Sequence, residues 1–142
     1  MLKMIMRKIL FKIVIFLMFT NTALTASFNW TKVVTTIDGD TTWYYDKKSV
    51  FKVGSYRFYW QLGNYLKNYD EDKSVISHSM VNCETYEMRW ITYTGYSEHM
   101  GKGKTNFEAI MPETDPTYFV WEYFDPETTV QGIITKKVCN QR

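Results

Sequence analysis

Few residues of this 142-residue chain could do covalent or acid–base chemistry: two cysteines, two histidines and the acidic run Asp70-Glu71-Asp72. A catalytic centre needs a nucleophile, a base within hydrogen-bond reach and a group that orients the base. His78 alternates with Ile76 and Met80, which points it into a core or a cleft, where a hydrogen-bonded structural histidine is the ordinary occupant. His99 falls in a glycine-rich loop and reads as solvated. Consecutive acids in a turn, as at 70–72, are solvated rather than poised for proton transfer. The stretch HMGKGKT, residues 99–105, ends like a phosphate-binding loop. Glu98 stands where the first glycine of GxxxxGK[ST] belongs, so the match fails and Lys102 and Lys104 read as a basic loop tip. Two cysteines are too few for zinc unless His78 and His99 join them. Met80, Met88, Met100 and Met111 read as packing rather than as haem or metal ligands. The chain is therefore expected to be no enzyme and to carry no cofactor.

The first 26 residues explain why neither cysteine reads as a nucleophile. MLKMIMRKILFKIVIFLMFTNTALTA sets Lys3, Arg7, Lys8 and Lys12 before and within an apolar run from Ile9 to Phe19, and small or polar residues follow up to Ala26. The run is shorter than the roughly 20 residues a membrane-spanning helix needs, and its tail suits peptidase cleavage. Residues 1–26 are expected to be a signal peptide and residues 27–142 the exported domain, periplasmic or at the cell surface. An uncleaved anchor is the alternative, since Leu24 stands three residues before the cut in place of an alanine. No cysteine lies near the cut to accept a lipid, so no stable membrane anchor is expected after cleavage. The leader holds four of the seventeen basic side chains and none of the fifteen acidic ones, leaving a net −2 on the remainder. Nucleic acid and anionic membrane thereby lose their electrostatic basis as partners. Export to an oxidising compartment makes a Cys83–Cys139 disulfide the simplest pairing, with an intermolecular bridge as the alternative. An intrachain bond would close a loop of about 57 residues, worth roughly 4 kcal/mol on the chain-entropy model.

From Phe28 onward the chain is rich in Tyr, Trp, Phe, Thr and Val and poor in Pro, the composition of antiparallel sheet. Residues 28–36 and 41–46 read as two strands joined by IDGD, a turn with Asp-Gly chemistry. KKSVFKVGS reads as a short edge element and a turn. In YRFYWQL, Tyr56, Phe58, Trp60 and Leu62 share one face, expected to be core, against Arg57, Tyr59 and Gln61 on the other. Residues 67–73 read as a charged turn, 74–83 as a strand reaching Cys83, and 85–96 as another whose buried face the pattern leaves open. Glycines, prolines and mixed charge at 97–117 read as a long exposed loop. Residues 118–124 return to strand. Asp125 as cap and Pro126 at the first helical position then open a terminal helix, with Val130, Ile133, Ile134 and Val138 on one side. Gly132 is expected to weaken it by about 1 kcal/mol relative to alanine.

Trp30, WYYDKKSV at 43–50, FYWQL around Trp60, SMVNCE around Cys83, and WEYFDP followed by Val138-Cys139 occur in an order that resembles the surface-adhesin protein E-like family of bacterial secreted and surface proteins. The similarity spans nearly all of 27–142. It implies one α+β domain: a curved antiparallel β-sheet of about five to six strands with a C-terminal α-helix tied by an intrachain disulfide. It also implies binding of host matrix and serum proteins such as vitronectin, laminin and plasminogen. No short motif carries those contacts, so no binding residue is transferred. The missing lipid-acceptor cysteine departs from the adhesin and weakens the case for stable surface anchoring.

The surplus of aromatic residues asks for a purpose beyond one core, because Tyr, Trp and Arg are the side chains enriched in protein-binding hot spots and an excess leaves an exposed patch. The expected patch is the second sheet face, with Tyr44, Arg57, Tyr59 and Arg89, together with Lys102 and Lys104 in the loop. The function read from the sequence is a secreted or envelope binding domain that engages an extracellular or envelope protein. A periplasmic carrier of a small ligand such as haem or lipid, or an envelope-assembly factor, is the alternative. An apolar cavity would favour the carrier and an exposed aromatic patch the protein binder.

Overall fold

The computed structural model describes residues 27–69, 71–112 and 120–141; the expected signal segment, 1–26, lies outside them. β1 (Trp30–Thr35) and β2 (Thr41–Asp46) form a hairpin, closed by Thr36 N–H donating to the Thr41 carbonyl at 2.9 Å. A 3-10 turn at Lys47–Ser49, with the Asp46 carboxylate accepting from Lys48 N–H at 3.0 Å, leads into the short β3 (Phe51–Val53). β4 (Tyr56–Tyr69) and β5 (Asp72–Asn82) are the long central pair. The turn between them is tighter than the sequence suggests, since strand runs through most of the expected 67–73 turn. β6 (Glu87–Tyr96), β7 (Thr105–Ile110) and β8 (Glu122–Tyr123) complete the sheet, and α1 (Val130–Cys139) follows. The order is β1-β2-β4-β5-β6-β7, each pair antiparallel; β3 joins β4 beyond the end of β2, and β8 joins β6 beyond the end of β7. Six strands thus make the main path, in line with the five to six expected, and two short ones extend it.

Three boundaries differ from the sequence reading. The segment expected to be a loop at 97–117 contains a 3-10 turn, His99–Gly101, and the strand β7; residues 113–119 lie outside the described ones. Of the strand expected at 118–124, only Glu122–Tyr123 pairs within the described residues. The helix begins at Val130 with Thr129 as its cap, not at Pro126. Asp125 spends its carboxylate on a preceding turn, accepting from Glu127 N–H at 2.8 Å and Thr128 N–H at 3.2 Å.

The helix decides which sheet face is core. Ile134 and Val138 pack on Tyr45, Tyr59, Val81 and Met88, with Val33, Val50, Trp90 and Phe124 around them. Along β4 this is the Arg57, Tyr59 and Gln61 side, so the expected assignment is reversed for Tyr56, Phe58 and Trp60, which lie half-buried on the other face, while Leu62 on that face is buried as expected. Arg57 and Gln61 find hydrogen-bond partners on the helix side. The Arg57 guanidinium donates to the carbonyls of Gly54 at 3.1 Å and Tyr56 at 3.0 Å, and the Gln61 amide donates to Ser79 Oγ at 3.3 Å. The same contact settles β6, where Met88 is fully buried against the helix. Cys83, just past β5, bonds Cys139 at the end of α1, with S–S 2.01 Å and Cα–Cα 5.5 Å. That bond fixes a ten-residue helix too short to hold its shape alone.

Gly132 is no defect in that helix. A Cβ there would lie 1.9 Å from the Asp125 carbonyl oxygen, so only glycine lets the first helical turn approach the turn that precedes it.

Candidate functional site

Among the described residues, one half of the face opposite the helix is covered and the other is not. Over Leu62 and Ile76 sits the β6–β7 turn, where Gly101, at φ +70°, has no room for a Cβ: one would stand 2.4 Å from Ile76 Cδ1 and 3.8 Å from Leu62 Cδ1. Side chains from the strands hold this turn down. Ser74 Oγ donates to the Glu98 carbonyl at 2.6 Å and accepts from Gly101 N–H at 2.9 Å, while Asn64 Oδ1 accepts from Met100 N–H at 2.8 Å.

The uncovered half carries Phe51, Tyr56, Phe58, Trp60, His78 and Met80, because strand alternation puts these even positions of β4 and β5 together and β3 pairs Phe51 with Phe58. Phe28 and Trp30 join from the N-terminal side. Trp30, Phe28, Trp60 and His78 form a row of rings with successive centroid separations of 4.7, 5.4 and 4.6 Å. The Trp60 and His78 planes are 17° apart, and Phe58 closes on His78 at 6.3 Å. Trp121, from the segment before β8, packs on Tyr56 at 5.9 Å, and the Arg89 guanidinium lies over it at 5.5 Å. Such ring pairs contribute about 0.5–1.5 kcal/mol each beyond area burial. Phe51 remains 63% exposed and Val53 48%. Burial lowers the His78 pKa, which keeps its ring neutral against Trp60.

This is not the patch the sequence suggested. Tyr59 is 0% exposed, with burial, offset in part by its bond to Ser79, pushing its phenol well above the ordinary range. Arg57 is 9% and Arg89 5% exposed. Arg57 and Tyr59 share the helix side, whereas Tyr44 and Arg89 fall on the opposite face through their pairing with Leu62 and Met80. Of the six residues singled out, Lys102 and Lys104 are exposed, on the β6–β7 turn, and Tyr44 is half-buried. Of the open aromatic set, Tyr56, Phe58 and Trp60 stand on the side expected to be core. Its signal lay in β5, where Ser77 and Ser79 lie opposite Gln61 and Tyr59 and the bulkier Ile76, His78 and Met80 fall on the other side.

Among the described residues no group of three or more His, Cys, Asp or Glu side chains could hold a metal ion. Hollows beside α1 are open and mix polar with apolar lining: Pro126, Glu127, Ile133, Lys136, Lys137 and Asn140 around one of about 420 Å³, and Tyr45, Lys47, Lys137, Asn140 and Gln141 around one of about 440 Å³. No helix among the described residues is long and apolar enough to cross a membrane.

These features define an α+β domain of antiparallel sheet, closed by one C-terminal helix and one disulfide. The sequence profile described as Surface-adhesin protein E matches residues 30–140, and the chain belongs to that family. Its fold is that of Haemophilus influenzae protein E. The selenomethionine form of that protein superposes with a TM-score of 0.53 at 16% identity, covering 78% of this chain and 84% of the other. A second crystal form gives 0.51 at 16% over 78% and 86%, and a further structure gives 0.51 at 17% over 78% and 83%. Among curated proteins, none matches the sequence.

Proposed function

We propose that residues 1–26 direct export and that residues 27–142 act as a non-enzymatic binding domain of the cell envelope or surface, engaging an extracellular protein through the open aromatic half-face. The observation that carries this reading is the continuity of Phe51, Phe58, Trp60 and His78 on a face whose other half the chain covers with its own turn. Large rings that remain half-buried when the fold is complete are the side chains that dominate protein interfaces. The intrachain disulfide supports the export half of the proposal, since such bonds persist in oxidising compartments. Membership of a surface-adhesin family supports the rest.

The test is a pull-down from serum and from envelope extract, using protein purified from cells that express the full chain. Three variants accompany it: Phe51→Ser with Phe58→Ser on the face, Lys102→Glu with Lys104→Glu on the turn, and Ile37→Ser on the remote β1–β2 turn. A protein retained by wild type and by the Ile37 variant but lost by the face variant supports the reading. Retention of nothing by wild type, undiminished retention by the face variant, or loss confined to the turn variant would each reject it.

A further inference from the structure

Tyr56 and Trp121 stand 5.9 Å apart with their planes open at 39°. A hollow of about 200 Å³ lies among these rings, Asn82 and Glu87; that is about seven water molecules' share of liquid. It is large enough for the head of a long side chain and too small for a folded ligand.

The lining selects the charge of the occupant. Aromatic faces attract cations, and Glu87 supplies a carboxylate. Glu87 Oε2 already accepts from Thr85 Oγ1 at 2.9 Å, which leaves its other oxygen for a further donor. One more carboxylate stands nearby, Glu84, which accepts from Ser55 Oγ at 2.6 Å next to Tyr56, whereas Glu122 pairs with Met88 and falls on the helix side. Against them stands Arg89, over Trp121 at 5.5 Å but not part of the lining. Arg57 faces the helix side, its guanidinium on the Gly54 and Tyr56 carbonyls. Among the described residues on this face, Glu84 and Glu87 against Arg89 leave the balance acidic. An apolar occupant would bury the second Glu87 oxygen without a partner, which is costly, and an anion would be repelled. A planar guanidinium both stacks on rings and donates to a carboxylate.

We propose that the Tyr56–Trp121 slot seats an arginine or lysine side chain of a protein partner. This rests on the protein-binding reading above and names the chemistry by which that partner is gripped at the rim of the aromatic face.

The experiment follows the five tryptophan indole N–H signals by nitrogen-15 NMR, with the Trp121 signal assigned from Trp121→Phe. Probes are the N-acetyl amides of arginine and lysine, the neutral N-acetyl-citrulline amide, and choline. The Trp121 signal is expected to move saturably with the two basic amides, with a dissociation constant on the order of millimolar, and not with citrulline amide. Glu87→Gln, which keeps the shape of the site, is expected to weaken arginine amide at least about tenfold, the factor that one charge-assisted hydrogen bond represents. Citrulline amide moving the signal as strongly, choline binding more tightly than arginine amide, or Glu87→Gln leaving the affinity unchanged overturns the proposal. Partner capture with a silent Trp121 signal defeats the slot alone, and a titrating Trp121 signal without partner capture defeats the protein-binding reading alone.

Discussion

Replacing Gly132 with alanine sets two opposed effects against each other at one carbon. Helix propensity favours the change by about 1 kcal/mol. The fold opposes it: the new Cβ would lie 1.9 Å from the Asp125 carbonyl oxygen, 2.4 Å from its carbon and 2.7 Å from Thr129 Oγ1. A carbonyl cannot swing aside as a flexible side-chain tip can, so the helix or the 125–129 turn must move, at about 2 kcal/mol for overpacking of this kind. The movement also disturbs three bonds. Asp125 O accepts from Thr129 N–H at 3.1 Å and from Thr129 Oγ1 at 2.8 Å, and Thr129 Oγ1 caps Gly132 N–H at 3.1 Å. Losing two of them costs about 2 kcal/mol more. The net is a destabilisation of about 3 kcal/mol, or about 12 °C in Tm for a domain of roughly the length of residues 27–142. Thermal melts of wild type and Gly132→Ala, followed by far-UV circular dichroism with the disulfide intact, measure it. A Tm equal to or above that of wild type would refute the reasoning, because propensity would then have outweighed the close approach.

Removing the staple with Cys83→Ala and Cys139→Ala opens a loop set by a sequence separation of 56 and is expected to cost about 4 kcal/mol, lowering the urea midpoint by about 2 M; a loss below about 1 kcal/mol argues against it. Ser74→Ala leaves the Glu98 carbonyl and the Gly101 N–H without their partner, at about 2 kcal/mol. Hydrogen exchange should quicken at Gly101 while the β4–β5 amides keep their protection, and unchanged Gly101 exchange contradicts the clamp. His78 has its pKa lowered in the fold by burial, so the unfolded chain binds more protons over the interval below about pH 6.5. Stability is therefore full above that pH and falls as the medium becomes more acidic. His78→Phe should flatten the dependence of the urea midpoint between pH 5 and 7, and an unaltered slope would show that other groups cause it.

Most strand positions are legible in the sequence; which face of β4 meets the core is not. TTWYYD reads as a strand at 41–46 and forms one over those residues, because β-branched and aromatic residues bounded by turn chemistry specify local geometry. Alternation along YRFYWQL sorts side chains into two sets but is symmetric about which set meets the core. That choice belongs to α1, some seventy residues away, whose Ile134 and Val138 bury Tyr59. Arg57 and Gln61 read as outward because their partners, Gly54 O, Tyr56 O and Ser79 Oγ, exist only after folding. The helix start was misplaced for a local reason: an aspartate ahead of a proline can cap a helix or a tight turn, and at Asp125 it does the latter. β7 was hidden by Gly101 and Gly103 on one side and Pro112 on the other, whose punctuation outweighed the short alternation of TNFEAI. The open face was out of reach for the same reason as the core, since naming one names the other.

The covalent link between Cys83 and Cys139 also sets how the domain carries tension. A pull applied beyond Cys139 enters the sheet at the end of β5, between β4 and β6, rather than at the helix. Everything from Glu84 to Val138, including β6, β7, β8 and α1, sits inside the closed loop and is bypassed by the load. A domain dragged at its C-terminal end would then yield by loss of strand pairing and not by gradual peeling of its helix.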